Sequence, residues 1–236
     1  MIQCTSAGAQ AIDINTGPLK KNPGDAMTFF VEAVQGVTDL PIIIDTTNPF
    51  AMEAGLKAAR NPAIINGISL EPSKLEKILP LAKDYDADIV GFLLYPGSRV
   101  PRSSSQRFEI ALELVEQVEG AGIDKERLII DPVVPPLVWD DSLARARGVV
   151  ETIQMLPELL GFPVRTIAGL SNLTTGAGEK HKKNIMESVY LSMLASAGLD
   201  YLMMDILNPV TTGSARAAAL ICGGDIFSWA GVGIHH

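Results

Sequence analysis

One phrase recurs along this chain: a short β-branched apolar run, one or two polar residues, then an amphipathic stretch. Ile42, Ile43 and Ile44 run into Asp45. Asn48 and Pro49 follow, a capping side chain and a first-turn proline that together open a helix. Ile64 and Ile65 run into Asn66, Ile129 and Ile130 into Asp131, and the stretch 166–170 into Ser171 and Asn172. Continuous apolar runs of this length mark strands buried on both faces, as in parallel sheets. Three more strands are expected. The stretch 11–15 carries Asp13 and ends in Asn15, 88–94 has few polar residues, and 200–205 ends in Asp205.

Between these runs the apolar spacing turns helical. Phe30, Val31, Val34 and Val37 share one face, and Met52, Leu56 and Ala59 another. Pro72 opens a helix bearing Leu75, Ile78 and Leu79. Ser103 and Gln106 have capping-box spacing for a helix bearing Phe108, Leu112 and Val115. Further helices are expected over 142–156, through Ile185, Val189 and Met193, and through 215–220 to an end near Gly223 and Gly224. Polar loops are expected over 20–25 and 95–105.

Seven strands in strict alternation with helices imply parallel strands and right-handed crossovers. An open doubly wound sheet also fits. However, Asn15-Thr16-Gly17-Pro18 is not the glycine fingerprint of a dinucleotide fold. The expected fold is therefore a TIM (β/α)8 barrel, a single domain over 1–236. The count is one unit short, so the first β/α unit is expected to be missing from this chain. Residues 1–9 read as the tail of a helix whose strand lies upstream.

Composition narrows the function. The 236 residues are 47% hydrophobic with a net charge of -8 and no basic patch. Nucleic acid and anionic membrane are thus poor partners. Cys4 and Cys222 lack any CxxC neighbour, so neither a disulfide framework nor a metal site is suggested. No signal peptide or membrane-length apolar run is present, and a cytoplasmic protein is expected. His235 and His236 at the end of the chain are given no chemistry, and lone His181 reads as a surface residue. Met203, Met204, Trp139 and Trp229 read as packing residues.

In an α/β barrel, residues at the carboxyl ends of the strands build the active site. Asp45, Asn66, Asp131 and Asn172 end four strands here, with Asn15 and Asp205 ending two more. Carboxylates and amides converging on one mouth suit a flat heterocycle with alternating donors and acceptors. An amino-pyrimidinone edge offers a ring N–H and an exocyclic amine to a carboxylate. Lys180, behind the Gly-rich stretch 174–178, is placed to meet an anionic substrate tail; Lys182 and Lys183 read as a solvated face. Each Asp or Asn could instead simply cap the next helix, but the repetition at four strand ends favours a site.

The segments Ile12-Asp13-Ile14-Asn15-Thr16-Gly17-Pro18, Ile44-Asp45-Thr46-Thr47-Asn48, Ile65-Asn66-Gly67, Ile130-Asp131-Pro132 and Gly169-Leu170-Ser171-Asn172 resemble the pterin-binding methyltransferases. That family includes the methyltetrahydrofolate:corrinoid/iron–sulfur protein methyltransferases. The resemblance implies a dihydropteroate synthase-like barrel that moves a methyl group between N5 of tetrahydrofolate and the cobalt of a separate corrinoid protein. It further implies that Asp45, Asn66 and Asp131 anchor the pterin and that Asn172 hydrogen-bonds near N5. Ser171, Asn15, Lys180 and Asp205 are the supporting substrate contacts, and a homodimer is expected. There are two departures. The family's opening strand has no counterpart, and the loop after Asn172 lacks a Gln that some relatives supply, leaving Thr175 as the substitute. Two alternatives stand beside this reading: dihydropteroate synthase, and a non-catalytic folate-binding subunit of a corrinoid complex.

Overall fold

The computed structural model describes residues 1–18 and 21–223. The start of the expected loop at Lys20, the helix end at Gly224, Trp229, His235 and His236 lie outside them. The described residues form two compact units: Met1–Arg99 with Glu109–Asp131, and Val100–Phe108 with residues 132–223.

The first unit opens on a short helix, α1 (Ile2–Ser6), and then repeats strand and helix. The order is β1 (Ile12–Asn15), α2 (Pro23–Gln35), β2 (Ile42–Asp45), α3 (Pro49–Ala58), β3 (Ala63–Ile68), α4 (Pro72–Asp84), β4 (Asp88–Phe92), α5 (Ser104–Gly120) and β5 (Leu128–Asp131). Helix α5 contributes its first five residues to the second unit. All four neighbouring strand pairs from β1 to β5 are parallel and follow chain order. In the second unit α6 (Ser142–Leu160), β6 (Arg165–Gly169), α7 (Lys180–Ser196), β7 (Tyr201–Met203) and α8 (Pro209–Cys222) continue the alternation, with β6 and β7 parallel.

The helix starts follow the local chemistry. The Asn48 side chain accepts from the Phe50 and Ala51 amides at 3.0 and 3.3 Å, and Pro49 takes the first turn, where no N–H is needed. At α5, Ser103 Oγ accepts from Gln106 N at 3.3 Å. The Gln106 side chain reaches one residue further back than a capping box requires, accepting from Arg102 N at 2.8 Å. Helix α6 runs past the expected end at 156: it accommodates Pro157 in its last turn and is closed by Gly161 at φ +73°.

Three expected helix faces are corrected. On α2 the buried side is Met27, Val31 and Val34; Phe30 points outward, and exposed Val37 lies beyond the helix. On α5 the buried row is Arg107, Ile110, Ala111, Leu114 and Val118, whereas Leu112 is exposed. On α7 Tyr190, Leu191 and Leu194 join the core of the second unit, whereas Ile185 and Val189 are 59% and 56% exposed and Met193 is also exposed. Each of these helices carries two apolar stripes, and only one can face its sheet. Among the described residues no helix is long and apolar enough to cross a membrane.

Candidate active site

Strand β1 alternates. Ile12 and Ile14 are buried, whereas Asp13 and Asn15 turn to the opposite face. The parallel ladder pairs Asn15 with Asp45 and Asp45 with Asn66. In-register neighbours on adjacent parallel strands share a face about 4.8 Å apart. The sheet thus lines up an amide, a carboxylate and an amide. Asn15 Nδ2 donates to Asp45 Oδ2 at 2.6 Å, and Asn15 Oδ1 accepts from Gly17 N at 2.9 Å. Asn15 is therefore held at both ends and orients the carboxylate.

Asn66 stands on the other side of Asp45. It does not end β3, which runs on through Gly67 to Ile68 with a register shift against β4. Gly67 is required there, because a Cβ at this position would collide with the Val90 carbonyl. Asn66 is only 8% exposed, and its Oδ1 is buried with no hydrogen-bond partner among the described residues. A buried amide oxygen without a donor costs about 1–3 kcal/mol. It is the kind of acceptor a bound ligand satisfies.

The electrostatics of this row are unusual. Burial raises the Asp45 carboxyl above its ordinary value, while the Asn15 and Asn66 amides and the nearby Lys74 draw it partly back. Asp13 is pushed up to about 7, first by burial and then by the Asp45 carboxylate. Asp13 is exposed in part, yet the protein gathered around it still disfavours the charged form. Burial thus raises both carboxyls above their ordinary range. Asp13 was visible in the sequence as a strand residue; the signal that marks it is its two-residue spacing from Asn15. Lys74, on the first turn of α4, had no such signal.

Asp131 ends β5 in register with Phe92 and is buried. In the second unit, β6 stops at Gly169, so Ser171 and Asn172 fall on a 3₁₀ turn over Leu170–Thr174 and not on the strand; both are exposed. A Cβ at Gly169 would come within 3.2 Å of Asn172 Nδ2, so this glycine leaves room for the amide. Thr175 Oγ1 donates to the Ser171 carbonyl at 3.2 Å. Lys180 is exposed at the first position of α7, and Lys182 pairs with Glu179 at 2.7 Å. Strand β7 stops at Met203, two residues before Asp205, whose carboxylate accepts from Leu207 N at 3.0 Å in the turn into α8. Trp139 lies 5.4 Å from the Arg145 guanidinium. With Arg102, Val138, Asp140, Asp141 and Arg145 it lines an open cavity of about 540 Å³.

Comparison with known proteins places these residues in context. The family described as pterin binding enzyme matches residues 1–205. A methylcorrinoid:tetrahydrofolate methyltransferase of Eubacterium limosum is 23% identical over 223 residues, 93% of this chain and 79% of that protein. A methionine synthase of Mycobacterium leprae is 26% identical over 204 residues. The match takes in 83% of this chain but only 17% of the synthase, so the chain corresponds to a segment of that longer protein. Among solved structures, the Yersinia pestis dihydropteroate synthase with a sulfonamide drug aligns with a TM-score of 0.70 at 16% identity, over 94% of this chain and 84% of that one. A Coxiella burnetii dihydropteroate synthase in complex with pteroic acid gives 0.70 at 15% identity, over 94% and 83%. Likeness at these identities shows the fold, which is the TIM barrel of the dihydropteroate synthases, with seven strands among the described residues.

Proposed function

The chain belongs to the pterin binding enzymes, and from that premise we propose that it moves a methyl group between N5 of tetrahydrofolate and the cobalt of a corrinoid carried by a separate protein. The observation that carries the reading is the buried, unpaired Oδ1 of Asn66 beside the oriented Asp45 carboxylate. An acceptor amide next to a carboxylate suits the donor-rich amino-pyrimidinone edge of a pterin. The E. limosum relative, similar over most of both chains, supports the methyl-transfer reading over other pterin chemistry.

In this reading Asp45, Asn66 and Asp131 anchor the pterin, and Asn15 aims Asp45. Ser171 and Asp205 line the mouth, and Lys180 meets the anionic tail of the folate. The two compact units make one domain over 1–236, a proposal supported by a family match that spans both. When methyltetrahydrofolate is the donor, the N5–methyl bond breaks with its electron pair left on nitrogen. The reduced cobalt supplies the pair for the new bond, and N5 takes up a proton. Asn172 is assigned the hydrogen bond that stabilises charge developing at N5. Asp13, titrating near neutrality, is assigned to the carboxylate network that supplies the proton.

Dihydropteroate synthase is the second reading, favoured by the fold of the solved structures. Its pyrophosphate leaving group wants positive charge, whereas the strand ends carry Asp45 and Asp131; the stretch 16–21 offers Lys20 and Lys21 but no arginine. The deciding experiment is a titration with 5-methyltetrahydrofolate and, separately, with a dihydropterin pyrophosphate plus aminobenzoate. Folate binding abolished by Asp131→Ala, with methyl transfer to cob(I)alamin, is the expected result. Turnover of the pyrophosphate pair hands the case to the synthase. Folate binding without any transfer makes the chain a non-catalytic folate-binding subunit.

A further inference from the structure

Among the described residues, Arg107 is a cation buried without an anion. It is 0% exposed and heads the largest fully enclosed side chains among the described residues. Its Nε donates to the Pro132 carbonyl at 3.0 Å and its Nη1 to the Ser103 carbonyl at 3.3 Å, while Nη2 is enclosed with no acceptor. Burial pulls its pKa down to about 10, with the Tyr190 phenol pushing back and the Arg145 guanidinium adding to the fall. The packing makes room for it: a Cβ at Gly148 on α6 would come within 3.2 Å of Nη1. A buried guanidinium held by two carbonyls, with a donor to spare, is a poor source of stability.

The carbonyl it holds is informative. Pro132 directly follows Asp131 in the chain, and Val133 follows at φ +62°. A β-branched side chain rarely enters this left-handed region, and one held there is strained. The Pro132 carbonyl belongs to the peptide plane that joins Pro132 to Val133. Rotation of that plane is what sets φ of Val133. The Arg107 hydrogen bond therefore acts on the same torsion that is strained.

We infer that Arg107 is a positioning residue, which fixes the Pro132–Val133 peptide plane and through it the direction of the Asp131 carboxylate. The inference rests on the proposed role of Asp131 as a pterin anchor. Nothing in it requires Arg107 to touch the substrate.

The test is calorimetric titration of 5-methyltetrahydrofolate into the full chain and its variants, with melting temperatures measured alongside. Asp131→Asn comes first, because it reports on the anchor role alone. A loss of affinity below about threefold removes that role and this inference with it. Given a larger loss, Arg107→Lys keeps the charge but not the planar fork, and weakens folate binding about tenfold. Arg107→Gln removes the buried charge. It melts no lower than the Lys variant yet binds folate as weakly, a separation of affinity from stability that a structural role does not produce. Val133→Gly frees the turn and weakens binding by itself, even if neither Arg107 variant folds. In its background, Arg107→Lys costs less than about threefold. Parent-like affinity in the Lys and Gln variants, in Val133→Gly alone, or the same tenfold factor with and without Val133→Gly overturns the inference.

Discussion

The ends of β1, β2 and β3 and the ends of β6 and β7 began as the same sequence phrase and became different structures. In the first group, Asn15, Asp45 and Asn66 stay on the ladder and lie in register. In the second, the strand stops early, so Asn172 goes to a 3₁₀ turn and Asp205 to a helix-entry turn. A side chain on the ladder inherits its direction from the sheet. One placed beyond it takes its direction from the turn, and its neighbours are local. The rigid row suits recognition of a flat ring. The turn-borne Asn172 suits a group that must follow a reacting atom.

The largest effect expected from breaking this contrast is on the row. Asp45→Ala removes a charged acceptor and strands two amides. It should lower affinity for 5-methyltetrahydrofolate by about 10–100-fold, the range for hydrogen bonds to charged groups. Asp205→Ala should lower it by less, since its carboxylate is engaged in its own turn. Equal losses at the two positions, measured by the same titration, would erase the distinction between ladder and turn.

A pH effect comes next. Folded Asp13 keeps its proton up to about 7, whereas the unfolded chain releases it near 3.8. The stability this group contributes is therefore complete below 3.8 and is lost as the pH rises to about 7. Thermal melts from pH 4 to 8 should show the parent falling more steeply than Asp13→Asn. With methyltetrahydrofolate as donor, the parent's transfer rate should decline above about 7, and the variant should lack that step. Parallel profiles would dismiss Asp13 as an acid.

The smallest effect is local. Asn48→Ala removes the cap of α3 and should cost about 1 kcal/mol in denaturant unfolding. Folate affinity should stay within about twofold, because the cap supports the helix behind β2 and not the Asp45 ladder itself. A matching loss of affinity would tie the row to helix α3.

Much of this was legible in the residues. The alternation of apolar runs and amphipathic stretches identified every strand, and Asn48 with Pro49 announced α3 before any coordinates. Asp45 was visible because Ile42, Ile43 and Ile44 leave it nowhere else to stand. Other features were not legible, for physical reasons. On α7, the stripe through Ile185, Val189 and Met193 is as apolar as the one through Tyr190, Leu191 and Leu194, and only packing chooses between them. Arg107 reads as a surface charge until its carbonyl partners are seen. The lengths of β3 and β6 depend on ladder bonds, which a single strand's residues do not reveal, so Asn66 and Asn172 were both read as strand ends. The influence of the Asp45 carboxylate on Asp13 needs the register as well as the alternation.

Gly67 also bears on how this chain could diversify. Any side chain there would drive into the Val90 carbonyl, on the neighbouring strand of the sheet. The spacing between the Asn66 amide and the Asp45 carboxylate therefore cannot be tuned by drift at the adjacent position. Descendants or designs that take a different ring would have to change connecting loops, such as 95–99 and 138–141, which tolerate changes of length and sequence better than the ladder does. The row proposed to hold the ring would stay fixed in such a lineage, and the loops are where novelty would be written.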